Sequence, residues 1–192
     1  MMNRIYLDYS ATTPPDPQVI EAMVGVFGSS YGNASSVHSF GREARSVLEQ
    51  SRDRVAHWIG ARSDEVFFTS GGTEADNHAV KGLALAGARI GKNEIITSAA
   101  EHHAVLHPVE SLRKAGFDVR LLSVDKFGQV DPDDVKKAIS SKTAVISLML
   151  ANNEVGSINK IDEIAAIARE ASVQIHSDTV QAMGKIKVEA DK

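Results

Sequence analysis

The chain has 192 residues, a formal net charge of −4 and no cysteine, so disulfides, thiolate metal sites and a cysteine nucleophile are excluded within it. The mildly acidic balance leaves no electrostatic footprint for nucleic acid. No apolar run approaches the ~20 residues of a membrane helix. The opening Met1-Met2-Asn3-Arg4 through Asp8 has no apolar signal-peptide core, and the expected location is the cytoplasm.

In chain order, Ile5-Tyr6-Leu7-Asp8-Tyr9 reads as a short strand leading into the turn-rich Ser10 to Pro15. Pro15 and Pro17 suit a first helical turn, and Val19, Ile20, Met23, Val26 and Phe27 give that helix an apolar face. Ser29 to Ser36 is loop. Phe40, Ala44, Val47, Leu48, Val55 and Ile59 then recur at helical spacing, and Gly60 is a natural stop.

From Glu65 the pattern becomes regular. Strands are expected at 65–69, 94–97, 117–124, 144–150 and 173–176. Helices are expected at 73–85, 102–114, 132–139 and 161–170, the first with Ala75, Ala79, Val80 and Leu83 inward. Such alternation argues for an α/β fold with a mostly parallel sheet and helices on both faces. In sheets of that kind ligands bind beyond the carboxyl ends of the strands. Residues 1–14 read as an N-terminal arm and 15–192 as one domain.

Four strand ends carry polar groups. Ser70-Gly71-Gly72-Thr73-Glu74 lies between a strand and a helix, where two glycines permit close backbone approach and a helix N-terminus suits phosphate. A plain capping box formed by Thr73 with Asp76 competes with that reading. Glu101-His102-His103 follows the next strand. His102, nearest the strand end, suits a cofactor-facing or acid–base role, whereas His103 and His107 read as solvated helix residues. Asn152-Asn153-Glu154-Val155-Gly156 suits a planar polar ligand or simply a turn. Finally, His176 and Asp178 point the same way if their strand continues, and Asp178 needs a cationic partner: a pyridinium, a metal or an arginine. A metal-dependent hydrolase using His102, His103, His107, His176 and Asp178 is the competing reading of the same residues.

Taken together these segments are similar to one family. Tyr6-Leu7-Asp8-Tyr9-Ser10-Ala11-Thr12-Thr13-Pro14, Gly32-Asn33-Ala34-Ser35-Ser36-Val37-His38, the Ser-Gly-Gly-Thr-Glu run, Glu101-His102, Asn152 to Gly156 and Asp178-Thr179-Val180-Gln181 resemble the cysteine desulfurases of the iron–sulfur-cluster kind. These are class V aminotransferase-type, fold-type-I enzymes dependent on pyridoxal 5'-phosphate (PLP). Selenocysteine lyases look similar.

The resemblance implies that Gly72 and Thr73 hold the PLP phosphate and that His102 lies against the pyridine ring. It implies that Asp178 pairs with the ring nitrogen, that Gln181 bonds the phenolic oxygen, and that Asn153 serves that oxygen and the substrate carboxylate. No metal is implied. The implied reaction takes sulfur from L-cysteine, leaving alanine and an enzyme persulfide; the implied assembly is a homodimer that passes sulfur to an acceptor or scaffold protein. The family's cofactor-bearing lysine sits in a Ser-x-His-Lys segment about two dozen residues beyond Asp-x-x-Gln, and Lys192 has neither that context nor that spacing. Its cysteine lies further on still. The chain is therefore expected to be the N-terminal portion of such an enzyme, with an incomplete large domain and inactive alone. It would be a truncated gene product or a fragment, or one part of a split enzyme completed by a separately encoded C-terminal half, or else a non-catalytic remnant.

Overall fold

The computed structural model describes residues 4–190; Met1 to Asn3 of the opening segment, and Asp191 and Lys192, lie outside the described residues. The chain divides into two compact units, one reaching Phe68 and taking in Glu189 and Ala190, the other holding Thr69–Val188.

In the first unit, α1 (Pro17–Ser29) begins where sequence signals place it. Asp16 accepts the Gln18 N–H and Pro17 fills the first helical position, a place where a missing N–H costs nothing. Next, α2 (Ser39–Ile59) ends at Gly60, whose φ of 71° is left-handed. Gly41 in its first turn is an obligate glycine, because a Cβ there would stand 2.3 Å from the Ser36 carbonyl oxygen.

Two expected strands do not form. Residues 5–9 are exposed and pair with no strand among the described residues; the Ala11 and Thr12 N–H groups fold back on the Asp8 carbonyl instead. At 65–69, Glu65 closes a single 3-10 turn (Ser63–Glu65), its carboxylate accepting the Arg62 N–H at 2.8 Å. Val66 alone of that run is buried, and its carbonyl is taken by the Arg52 guanidinium. β-propensity needs a partner ladder to act on, and neither run has one.

The second unit is a parallel four-stranded sheet ordered β2-β1-β3-β4. Its elements are α3 (Gly72–Ala88), β1 (Glu94–Ser98), α4 (His103–Lys114), β2 (Asp118–Leu122), α5 (Pro132–Ala138), β3 (Thr143–Ser147), α6 (Ile161–Glu170) and β4 (Gln174–His176). β1 and β3 are buried along their whole length, as central parallel strands must be when helices cover both faces. Alternate residues face opposite cores. Ile95 and Val145 meet Val80, Ala84, Val105, Val109 and Leu112 of α3 and α4. Ile96 and Ile146 meet Val135, Ile164 and Ala168 of α5 and α6.

The buried stripe of α3 is Asp76, Val80 and Ala84. It is rotated by one residue from the expected Ala75, Ala79, Val80, Leu83 stripe, and Ala75 is exposed. Pro108 sits inside α4 and has no N–H for the Ala104 carbonyl four residues back. The Asn77 side chain of α3 donates to that carbonyl at 3.4 Å, so the defect in one helix is met by its neighbour.

From β1 the chain moves outward to β2, then returns past β1 to β3 and continues to β4. The order reverses between β1 and β3, and a crevice opens beyond their carboxyl ends at such a point. The amino ends are tied differently. Glu94 is buried and accepts from Arg120 Nε of β2 at 2.6 Å, Ser140 Oγ at 2.8 Å and Thr143 Oγ1 at 2.6 Å. Burial pushes its carboxyl up, but the bonds from Thr143, Ser140 and Arg120 win and hold it below the usual range.

Two predictions follow from this architecture. Glu94→Ala leaves one buried hydroxyl, one half-buried hydroxyl and a half-exposed guanidinium without their acceptor, so the unfolding free energy falls by about 1–3 kcal/mol in a urea titration. Its wild-type contribution is present above the ordinary carboxylate range and is lost as pH falls through the depressed value. Separately, α1 buries none of its residues and bares Val19, Ile20, Met23, Val24 and Phe27. Apolar surface of this extent drives association, so light scattering on the 192-residue chain gives a mass above the monomer, rising with concentration.

Candidate active site at the carboxyl end of the sheet

The helix α3 starts without a side-chain cap. Its N-cap is Gly71, in extended backbone, and a Cβ built there meets nothing within 4 Å. Thr73 is the second helical residue rather than a cap, and Asp76 points into the core, so the capping-box reading is corrected. Ser70 turns instead to Glu74, whose carboxylate accepts both its N–H at 2.7 Å and its hydroxyl at 2.6 Å. Among the described residues no side chain therefore caps the N–H groups of this helix start, where the dipole's positive end lies. At Gly72 a Cβ would meet Val180 Cγ2 at 2.7 Å, so the helix start packs directly on the segment that follows β4.

That segment carries Asp178. The β3–β4 ladder outlasts the regular strands: Leu148 N–H donates to the His176 carbonyl at 3.1 Å and Leu150 N–H to the Asp178 carbonyl at 2.9 Å. His176 and Asp178 are therefore held as alternate residues of one extended run, as expected. The His176 Nδ1 lies 2.9 Å from Ser147 Oγ of β3, and its Nε2 lies 3.4 Å from Asp76 Oδ1 of α3. Asp178 is buried and accepts the Val180 N–H at 2.9 Å. Burial raises its carboxyl above the ordinary range, and the neighbouring Asp76 charge raises it further, while His176 and His102 pull it down.

The loop after β1 brings in Glu101 and His102. His102 is the N-cap of α4, its Nδ1 accepting the Ala104 N–H at 3.1 Å, and its ring is otherwise exposed. Glu101 turns inward. It accepts Ser98 Oγ at 2.7 Å and the Met149 N–H at 3.1 and 3.0 Å, one bond to each carboxylate oxygen. Burial pushes its carboxyl up to about 7. Asn152 reinforces the same bridge by donating to the Ala100 carbonyl at 3.0 Å, while its oxygen accepts the Glu154 and Val155 N–H groups. The turn reading fits Asn152. Asn153, half-buried, donates to its neighbour Glu154 at 2.9 Å. Gln181 is half-buried beyond Asp178, and its Oε1 accepts from Lys185 Nζ.

The structure therefore brings Gly72, Thr73, His102, Asn153, Asp178 and Gln181 to loops and a helix start at one end of the sheet. It adds Asp76, Glu101 and Ser147. Asp76 had a signal in the sequence: it is the one carboxylate on the apolar stripe of α3. The histidines do not gather. His103 and His107 stack at 5.0 Å on exposed positions of α4, and among the described residues no three His, Asp or Glu side chains are set to hold a metal.

The class-V aminotransferase family profile matches residues 5–192. The chain belongs to the class-V aminotransferase family. Among relatives of this class-V chain, a cysteine desulfurase IscS of Dictyoglomus turgidum is 50% identical over 192 residues, all of this chain and 48% of that one. A putative cysteine desulfurase IscS 1 of Bacillus subtilis is 47% identical, over 98% of this chain and 49% of its own. Among solved structures, a NifS-like protein superposes with a TM-score of 0.94 at 36% identity, covering 99% of this chain and 52% of that one. SspA in complex with cysteine gives 0.92 at 34%, covering 97% and 53%. The class-V chain spans about half the length of the curated relatives it matches. These likenesses agree with the α/β, fold-type-I reading of the sequence.

Glu101 generates a pH prediction. Its carboxyl takes up a proton more readily folded than unfolded, so its contribution is intact in acid and is lost as pH rises from about 4.5 to about 7. The loss is roughly 3 kcal/mol across that window. In Glu101→Gln this loss disappears, and the gap between the two proteins' urea midpoints changes with pH over that interval and is flat above it.

Proposed function

We propose that this chain forms the cofactor-binding portion of a PLP-dependent cysteine desulfurase. The observation that carries the reading is the buried Asp178 carboxylate, raised by burial and by Asp76, at the same sheet end as an uncapped helix start. Such a carboxylate calls for a cation, and such a helix start calls for an anion. PLP offers both, a pyridinium nitrogen and a phosphate. The donor set fits, and so does the buried Asp76 Oδ2, which has no hydrogen-bond partner among the described residues.

On this reading Gly72 and Thr73 hold the phosphate through backbone N–H groups and the Thr73 hydroxyl. Asp178 pairs with the ring nitrogen and keeps its proton in place. Gln181 donates to the phenolic oxygen, and Asn153 serves that oxygen and the substrate carboxylate. His102, fixed by its bond to Ala104 N–H, lies against the ring and holds its proton at Nε2, where it can donate. When bound, PLP supplies the electron sink that makes loss of the substrate α-proton feasible. The substrate is L-cysteine, in line with the cysteine-bound SspA structure. The sequence contains no cysteine, so the sulfur-accepting thiolate belongs to another segment or another chain. Residues 15–192 are assigned to the PLP-binding large domain, with 1–14 an arm, in a cytoplasmic homodimer that delivers sulfur to an acceptor or scaffold protein.

Two measurements test this. The isolated chain binds PLP without a fixed covalent bond: no Ser-x-His-Lys segment occurs in the 192 residues, so borohydride reduction labels no single lysine stoichiometrically. Asp178→Ala weakens that binding at least about tenfold with an unchanged circular dichroism spectrum. In a chimaera where residues 1–192 replace the matching half of the Dictyoglomus turgidum relative, alanine is released from L-cysteine. There Asp178→Ala and His102→Ala each lose at least about a hundredfold (~3 kcal/mol in the barrier), whereas His103→Ala and His107→Ala lose little. Full turnover in Asp178→Ala, or equal losses at all three histidines, is incompatible with these roles.

A further inference from the structure

The sheet end holds one carboxylate more than the roles above use. Asp76, on the core-facing stripe of α3, is 4% exposed. One of its oxygens, Oδ1, lies 3.4 Å from His176 Nε2; the other, Oδ2, is buried with no hydrogen-bond partner among the described residues. A buried carboxylate oxygen without a partner is costly, and the space-filling role of this position needs only an apolar residue like Val80 or Ala84 below it. Asp76 also acts on Asp178 through its charge, in the direction that disfavours two anions side by side. Both penalties vanish if a cation comes between or beside the two acids. His176 is not the whole answer, because its Nε2 reaches only Oδ1 at 3.4 Å and its Nδ1 is engaged with the Ser147 hydroxyl at 2.9 Å, so nothing of the ring is left for Oδ2.

We propose that Asp76 is a positioning residue for Asp178: together they make a two-carboxylate pocket that selects a protonated ring nitrogen over a neutral ring. Ser147 and His176 hold Asp76 in register from β3 and β4. This rests on the proposed PLP reading and deepens it. It assigns Asp76 an electrostatic function at a distance from the ring, with Asp178 making the direct contact.

The test uses the 192-residue chain and two probes that lack an aldehyde and so form no bond with surface lysines: pyridoxine 5'-phosphate, and the same molecule with its ring nitrogen replaced by C–H. Calorimetric affinities for both are measured in the wild type and in Asp76→Asn, which is isosteric and removes only charge. The wild type prefers the nitrogen-containing probe, and in Asp76→Asn that preference shrinks at least about fivefold. The empty Asp76→Asn chain melts at a higher temperature than the wild type, since a strained buried charge is gone; a purely structural Asp76 would give a lower one. Asp76→Ser repeats the comparison should the Asn variant not fold. An undiminished preference in the folded variant overturns this inference alone. Failure of the wild type to bind either probe overturns the PLP reading and this inference with it.

Discussion

Burial of negative charge is the constraint on which the rest of the second unit depends. Asp76, Glu101 and Asp178 are each less than a tenth exposed, and all sit at the carboxyl end of one four-stranded sheet. Each needs a donor, and the fold supplies donors by position. The Met149 N–H, past the end of β3, serves Glu101; the turn after β4 serves Asp178; an imidazole on β4 serves Asp76. At the opposite end of the sheet Glu94 is equally buried but fully provided for. The contrast is between an end whose buried carboxylate has its donors and an end where one carboxylate oxygen, Asp76 Oδ2, has none among the described residues.

The arrangement Ser147–His176–Asp76 has the order of a hydrolytic triad, and its distances are not far from one. Its chemistry is different. Ser147 lies within β3 and is wholly buried, so no substrate carbonyl reaches its hydroxyl, and a nucleophile must sit where a reacting atom can be placed about 3 Å away. A polar chain of this kind, buried at the serine and at the acid alike, has no exposed nucleophile.

Much of the second unit was legible in the sequence. The helices 161–170 and 132–139 and the strand 94–97 stand within a residue of their expected bounds, because caps, turn residues and apolar runs agree there. The strand ends could be read for function because parallel topology places polar residues where ligands bind. The failures have physical causes. Residues 5–9 and 65–69 have strand-like side chains but no ladder to join, and pairing is a tertiary fact. The stripe of α3 was misplaced by one position, since small residues at 75 and 79 imitate a buried face. That single step hid Asp76. Glu101 was hidden differently: after a strand ends, sequence alone does not say which of two neighbours, Glu101 or His102, turns inward.

The cap that His102 places on α4 has a consequence for how this ring handles protons. With Nδ1 accepting the Ala104 N–H, the neutral imidazole must carry its hydrogen on Nε2. Taking up a second proton would put an N–H on Nδ1, facing the N–H it now accepts. This cap and a doubly protonated ring therefore exclude each other, because an imidazolium has no lone pair on Nδ1 to accept the Ala104 N–H. A Ser, Thr or Asn cap keeps its acceptor oxygen in every charge state of its surroundings; the first turn of α4 is tied instead to one tautomer of one ring.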